Sequence, residues 1–257
     1  MKSKPTLVQI IFFTLFIGLI LLANNGIKTY LINNDIFDYN IHLTFKILSN
    51  CIFGVVSFLV AKKLDLIDVG GLSDRKPQKL VLIIFPLAFL VVLNVLFLDT
   101  IPNFTTLNIS LLAIYCLSIG ISEELSIRSV LLPLISKYFG NDRKAQIKAV
   151  LISSLIFGLL HLIKFDKGLY GEISQVFFAT FIGLMFGYLL LVIKRIYPLI
   201  IIHAIIDFAA KLDAINKPVK KFVYDLMDLE SAILTIVLTL PCLIYGIYIL
   251  KKHVPIK

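Results

Sequence analysis

Six ionisable residues lie inside long apolar stretches of this sequence, where charged side chains are the most costly to place. A charge at the centre of a bilayer costs about 2.5 to 3.5 kcal/mol on insertion scales. Such groups are therefore paired, solvated in a cavity or used for chemistry. These residues occur in three separate segments, so they can act together only if the fold brings the segments together. They are Glu123, Glu124, Arg128, His161, His203 and Asp207.

The spacing of these residues indicates which of them share a helix face. Glu124 and Arg128 are four residues apart, so on a helix they can form an ion pair that neutralises both charges. Glu123 then points about 100° away from Glu124 and is left over. His203 and Asp207 have the same four-residue spacing. A purely structural alternative is an ion-paired polar seam between helices, with each histidine a satisfied core residue.

Two histidines and a carboxylate can be used for hydrolysis in two ways. In catalytic zinc sites of the His₂Glu type, an open metal position lowers the pKa of a bound water to about 7. Without a metal, a buried carboxylate acts as general base toward water while the histidines hydrogen-bond to the substrate carbonyl. The sequence does not separate these two mechanisms.

Composition places the six residues in an integral membrane protein. The 257 residues are 59% hydrophobic and 16% charged, with a mean hydropathy of +0.95, which excludes an ordinary soluble domain. Apolar segments long enough to cross about 30 Å of hydrocarbon recur along the chain. We predict an all-α polytopic fold in one integral membrane domain, residues 1–257, with about eight transmembrane helices at 7–23, 41–61, 80–98, 107–135, 149–163, 173–193, 196–210 and 232–250.

The net charge of +9 reflects membrane orientation, and we expect no nucleic-acid partner. More than twice as many lysines and arginines fall on the side of the N-terminus as on the opposite side, so both termini are predicted to be cytoplasmic. Residues 211–230 form an amphiphilic stretch that we predict to lie along the membrane interface. Frequent lysine and isoleucine are typical of an AT-rich bacterium, which predicts a bacterial cell membrane.

The order of the motifs resembles a known family. Glu123-Glu124-x-x-x-Arg128, Phe157-x-x-x-His161 and His203-x-x-x-Asp207 follow one another on successive predicted helices. This order is similar to the signature of the CAAX protease and bacteriocin-processing (CPBP/Abi) family, the Rce1-like intramembrane endopeptidases. The resemblance covers residues 107–210, which would form the motif-bearing catalytic core.

The resemblance implies a role for each motif residue. Glu123 would activate water, with Glu124 and Arg128 as its supporting pair. His161 and His203 would be metal ligands or would position the water, and Asp207 would be a further polar member. Many relatives have Asn in place of Asp207. Because an ionised Asp cannot donate a hydrogen bond to an oxyanion, Asp207 is better suited to metal ligation or to orienting His203. The implied metal set is Glu123, His161, His203 and Asp207, and the implied cofactor is a divalent metal, zinc, with a metal-free glutamate mechanism as the alternative.

The sequence therefore predicts a peptidase that cleaves a membrane-associated protein or peptide within the lipid bilayer. A membrane protein that confers bacteriocin immunity, or a scaffold that acts by binding, is the alternative from another class. A proton-coupled transporter could use the same residues as a relay, but paired inverted repeats with interrupted helices, which are typical of transporters, are not seen. The substrate, the membrane face of the site and the oligomeric state do not follow from the sequence.

Overall fold

The structure is a computed structural model that describes residues 5–98, 103–164, 167–219 and 226–254. Within these ranges the regular structure is entirely helical, which confirms the predicted all-α class. Residues 220–225 of the predicted interfacial stretch lie outside the described residues. The α-helices are α1 (Leu7–Asn33), α2 (Tyr39–Lys63), α3 (Ile84–Leu96), α4 (Thr106–Glu123), α5 (Leu132–Phe139), α6 (Arg143–Leu160), α7 (Gly168–Ile193), α8 (Tyr197–Ala210) and α9 (Leu229–His253).

The described helices can cross a membrane in six places, judged by length and composition. Two further apolar helices, Leu80–Leu96 and Tyr197–Ala210, are shorter. The eight predicted spans therefore comprise six long helices and two short ones. Large apolar side chains are exposed along the outer helices, including Phe12 on α1 and Ile244 on α9. In a bilayer these side chains face lipid, and the chain forms the predicted polytopic membrane bundle.

Helix α7 is the most enclosed of the six long helices, because about two thirds of the residues in its apolar stretch are buried. It packs against α6 on one side and α9 on another, while α4 packs against α2 and α8. Among the helices that carry the ionisable motifs, α4 packs directly against α8, and α6 packs against α5 and α7. This packing brings the three sequence segments to one region.

The fourth helix continues through Gly120 without a break. Residues Thr106–Phe139 form one apolar helical segment of 34 residues that continues through this position. A Cβ atom on Gly120 would lie 2.7 Å from the carbonyl oxygen of Ile200. The glycine instead lets α4 and α8 approach closely, which brings Glu123 near His203.

The irregularity in this long segment lies just after Glu123. Glu124–Leu131 form a π-helix between α4 and α5, with the Leu132 N–H donating to the carbonyl of Ile127, five residues earlier. All eight residues of the π-helix are buried. Such wide turns are rare, cost regular α-helical hydrogen bonding and occur frequently at functional sites. The π-helix carries both Glu124 and Arg128 in the interior of the bundle.

Candidate active site

The innermost part of the site is the ion pair predicted from the four-residue spacing. Arg128 Nη1 lies 3.3 Å from Glu124 Oε1, and the two side chains are 1% and 0% exposed. Among the described residues, neither terminal nitrogen of Arg128 nor Oε2 of Glu124 has a hydrogen-bond partner. A buried ion pair with unsatisfied atoms stabilises a fold poorly. Its presence indicates that this region is kept polar for a reason other than stability.

Two phenylalanines connect the buried arginine to the two histidines. The guanidinium carbon of Arg128 lies 4.8 Å from the ring centre of Phe157 and 5.8 Å from that of Phe186. The Phe157 ring also meets His161 edge to face at 5.0 Å, and the Phe186 ring meets His203 in the same way at 6.0 Å. The cation–π contacts partly replace the lost hydration of Arg128, and the same rings fix the positions of both imidazoles.

His203 is held by the buried carboxylate. Its Nδ1 lies 2.8 Å from Glu124 Oε1, and since an ionised carboxylate only accepts hydrogen bonds, Nδ1 carries a proton. The other ring nitrogen, Nε2, lies 3.7 Å from Glu123 Oε2. Glu124 thus sets the orientation and tautomer of the ring, and Nε2 is directed toward the second glutamate.

Glu123 differs from its neighbour in its access to solvent. Its side chain is 31% exposed, whereas that of Glu124 is fully buried. Glu124 is occupied by Arg128 and His203, as its spacing from the arginine predicted, and Glu123 lies on the open side of the pair. Of the two carboxylates, that of Glu123 is therefore the accessible one.

His161 lies where α6 ends and a short 3₁₀ helix, His161–Ile163, begins. Its Nδ1 lies 2.9 Å from the carbonyl oxygen of Phe157, which can only accept, so Nδ1 is again the protonated nitrogen. The carboxylate of Glu123 interacts electrostatically with this ring as it does with His203. In both rings Nδ1 is therefore held by a protein acceptor, and Nε2 is the nitrogen left for other partners.

The last predicted residue has a partner that the motifs did not include. Asp207 Oδ1 lies 4.0 Å from His203 Nε2, which is beyond hydrogen-bond distance. Its other oxygen, Oδ2, accepts a hydrogen bond from Lys211 Nζ at 2.8 Å. Lys211 falls in the predicted interfacial stretch and carried no expectation of a role in the site. The four-residue spacing between Asp207 and Lys211 is the sequence signal that could have identified it.

The structure thus brings five of the predicted residues into one connected network. Arg128 pairs with Glu124, Glu124 contacts His203, and Nε2 of His203 lies near both Glu123 and Asp207. His161 joins the network through Phe157 and through the charge of Glu123. Phe186, like Lys211, was not predicted as part of the site, because a phenylalanine in an apolar helix has no distinguishing pattern.

The residues predicted to hold a metal fit that role only in part. The fixed Nδ1–H groups of His161 and His203 leave each Nε2 as a possible ligand, as in metal sites supported by an outer hydrogen-bond acceptor. Asp207, however, is engaged by the Lys211 ammonium. Over the described ranges, no group of three or more histidine, cysteine, aspartate or glutamate side chains is arranged to hold a metal ion.

Fold and site together define an integral membrane protein whose helices enclose a carboxylate and histidine centre. Residues 105–209, the segment that carries this centre, match the family model described as type II CAAX prenyl endopeptidase Rce1-like. The predicted resemblance is confirmed over those residues, which include all six motif positions. No curated protein and no solved structure matches the chain. Lys211 lies just beyond the matched segment.

Proposed function

We propose that this protein is an intramembrane endopeptidase that hydrolyses a peptide bond in a membrane-associated protein or peptide. The observation that carries the proposal is the partly exposed carboxylate of Glu123. Its Oε2 lies 3.7 Å from Nε2 of His203, which the buried Glu124 holds in place. The match of the surrounding segment to a prenyl endopeptidase family supports a peptide substrate. The remaining predictions, a bacterial cell membrane and cytoplasmic termini, belong to the same proposal.

In the proposed reaction, Glu123 is the general base. Its carboxylate accepts a proton from a water molecule, and the water oxygen forms a bond to the carbonyl carbon of the scissile peptide. The carbonyl π electrons move onto the oxygen, which becomes an oxyanion. When the carbon–nitrogen bond breaks, the electron pair goes to the leaving nitrogen, and Glu123 returns the proton to it. The carboxylate ends the cycle as it began.

The histidines position the reactants around Glu123. Glu124 and the Phe157 carbonyl hold Nδ1 of His203 and of His161, so Nε2 of each ring is the nitrogen that can hydrogen-bond to the attacking water. Because the other side of each ring is fixed, the imidazoles lose little orientational freedom when the substrate arrives. Glu124 and Arg128 act through His203 as positioning residues, since they are too buried to touch a substrate.

Asp207 and Lys211 adjust the charge near the oxyanion. Three carboxylates and only one deeply buried guanidinium would leave the region strongly negative, which opposes an oxyanion. The Lys211 ammonium neutralises Asp207, and its side chain is 33% exposed, so it is accessible from the open side of the site. Because of this pairing, the charge of Asp207 does not oppose the oxyanion that forms at the reacting carbonyl.

A divalent metal, zinc, remains part of the proposal as an alternative to the metal-free reaction. Nε2 of His161, Nε2 of His203 and the Glu123 carboxylate would hold it, in the His₂Glu set of catalytic zinc sites. When bound, such an ion acidifies a water molecule and polarises a carbonyl. Asp207 would be a poor ligand while Lys211 is hydrogen-bonded to it.

The test is hydrolysis by the purified protein in detergent or nanodiscs. Two quenched probes are compared, a prenylated peptide with a CAAX tail and an unprenylated leader-like peptide. Glu123→Gln removes the base and keeps the side-chain shape, so kcat should fall at least about a hundredfold. Glu230→Gln, the same change at an exposed position on α9, should leave kcat unchanged. Loss of activity with a chelator and its return with zinc would select the metal-assisted alternative.

A folded wild type that cuts neither probe would count against the peptidase. So would a Glu123→Gln protein that cuts as fast as the wild type. If either protein nevertheless protects cells against a bacteriocin, the immunity alternative replaces the enzymatic one. Folding is checked by size-exclusion elution and thermal unfolding in each case.

A further inference from the structure

A second group of charged side chains surrounds a cavity at the opposite end of α6 from His161. The cavity has a volume of about 240 Å³, several times the roughly 30 Å³ that a water molecule occupies in the liquid. Gln146, which lines the cavity, and His161 are separated by about 22 Å along the helix axis, so the cavity is distinct from the candidate active site. Leu190 and Leu191 form its apolar floor, and the amides of Asn141 and Gln146 form its rim. Two cations, Arg75 and Lys194, also line it.

Positive charge at this cavity exceeds the negative charge. A third cation, Arg143, donates to Gln146 Oε1 at 2.9 Å and so reaches the rim. Asp68 also lines the cavity and lies 3.5 Å from Arg75, but both side chains are mostly exposed, and such a pair contributes little. Burial, followed by repulsion from Arg143 and Arg75, lowers the pKa of Lys194. The repulsion among the three cations is relieved when an anion binds.

Hydrogen bonds on both sides hold Lys194 at the cavity. The Gln78 N–H donates to the carbonyl of Ile193 at 2.9 Å, and the Ile196 N–H donates to that of Gly71 at the same distance. Lys194 itself has a left-handed backbone, with φ of 65°, which costs a non-glycine residue about 1 kcal/mol or more. A strained, cationic residue fixed by its neighbours is the kind of feature that a binding site maintains.

We propose that this cavity binds a phosphate group. Phosphate accepts several hydrogen bonds at once and pairs strongly with guanidinium and ammonium groups, and the rim supplies both cations and amide donors. The group can belong to an anionic phospholipid or to a soluble phosphate. Basic pockets at the ends of transmembrane helices are suited to lipid head groups, and the apolar floor would face the glycerol. The proposal does not depend on the peptidase activity.

The experiment measures the two sources of phosphate separately on the full chain. In one arm, nanodiscs of phosphatidylcholine receive rising fractions of phosphatidylglycerol, and native mass spectrometry counts the anionic lipid retained. In the other, inorganic phosphate is titrated into the detergent-solubilised protein and followed by calorimetry. The variants are Lys194→Asn, since Asn accepts the left-handed backbone, and Arg75→Gln in an exposed loop. Lys63→Gln, an exposed charge at the end of α2, is the matched control.

We expect Lys194→Asn and Arg75→Gln each to weaken binding by about tenfold, the effect of one charged hydrogen bond, with Lys63→Gln unchanged. If the loss appears with phosphatidylglycerol only, the ligand is a lipid head group. If it appears with inorganic phosphate, the ligand is soluble. Equal binding by the wild type and both variants in both arms, or equal losses in the Lys63 control, would overturn the proposal. Arg75→Gln decides the result if Lys194→Asn fails to fold.

Discussion

Two ion pairs with the same four-residue spacing flank His203 and have opposite relations to solvent. Glu124 and Arg128 are 0% and 1% exposed, whereas Asp207 and Lys211 are 19% and 33% exposed. The buried pair lies at 3.3 Å without a hydrogen bond between Arg128 Nη1 and the carboxylate, and the exposed pair is hydrogen-bonded at 2.8 Å. Identical spacing in the sequence therefore gives two arrangements with different energetics.

The two pairs differ in how well water can solvate one charge when its partner is removed. Asp207 and Lys211 are partly exposed, so water can solvate either side chain if the other is absent. This pair therefore contributes about 1 kcal/mol or less to the free energy of unfolding. Glu124 and Arg128 have no such replacement, and each depends on the other. We infer that the buried pair sets the geometry of His203, and the exposed pair sets the charge at the open side of the site.

The largest effect is expected when the buried pair is broken. Arg128→Met leaves the buried Glu124 carboxylate without its guanidinium and, among the described residues, held only by His203, which should lower the free energy of unfolding by about 3 to 5 kcal/mol. Equilibrium unfolding in a denaturing detergent measures this change. A variant as stable as the wild type would show that Glu124 is protonated or solvated, and the contrast between the pairs would fail.

The buried pair can also be replaced as a whole. Glu124→Leu combined with Arg128→Met removes both charges, so most of the lost stability should return. Hydrolysis should stay at least about tenfold below the wild type, because Nδ1 of His203 loses the acceptor that orients the ring. Stability and kcat measured on the same sample separate the two roles. Recovery of full activity with stability would make the pair purely structural.

The smallest change in stability is expected at the exposed pair, where activity should respond instead. Lys211→Met should alter the free energy of unfolding by less than about 1 kcal/mol and reduce kcat with little change in KM, because Asp207 then stands unneutralised beside the oxyanion. Lys211→Arg should restore most of kcat, and adding Asp207→Asn to Lys211→Met should also recover it. A double variant no better than Lys211→Met alone would contradict the role given to the pair.

Several features of the site follow from local spacing and were predicted correctly. The Glu124–Arg128 pair is present because residues four apart share a helix face, and Glu123 is consequently the carboxylate left outside it. The resemblance predicted from three short motifs over residues 107–210 is also confirmed, since the family model matches residues 105–209. The roles of these residues, and the metal, stay predictions that the experiments above address.

Other features depend on contacts that no local pattern reports. His203 contacts Glu124 across 79 positions of the chain, and Phe186 connects His203 to Arg128 from a third helix. Asp207 was expected to ligate a metal or to orient His203, yet its hydrogen bond is to Lys211. The predicted spans 7–23 and 149–163 also differ from helices α1 (Leu7–Asn33) and α6 (Arg143–Leu160), because hydropathy predicts an apolar segment but not where its helix begins and ends.

The sequence by itself determined the membrane class, the helical fold and the set of polar residues that must be accommodated, because hydrophobicity and helix periodicity are local properties. Only the tertiary structure decided which glutamate is buried and which is open, and that Lys211 belongs to the site. It also placed three cations around one cavity. These outcomes depend on the close approach of α4 and α8 at Gly120 and on the π-helix after Glu123, since burial and pairing energies arise from distances between segments far apart in the chain.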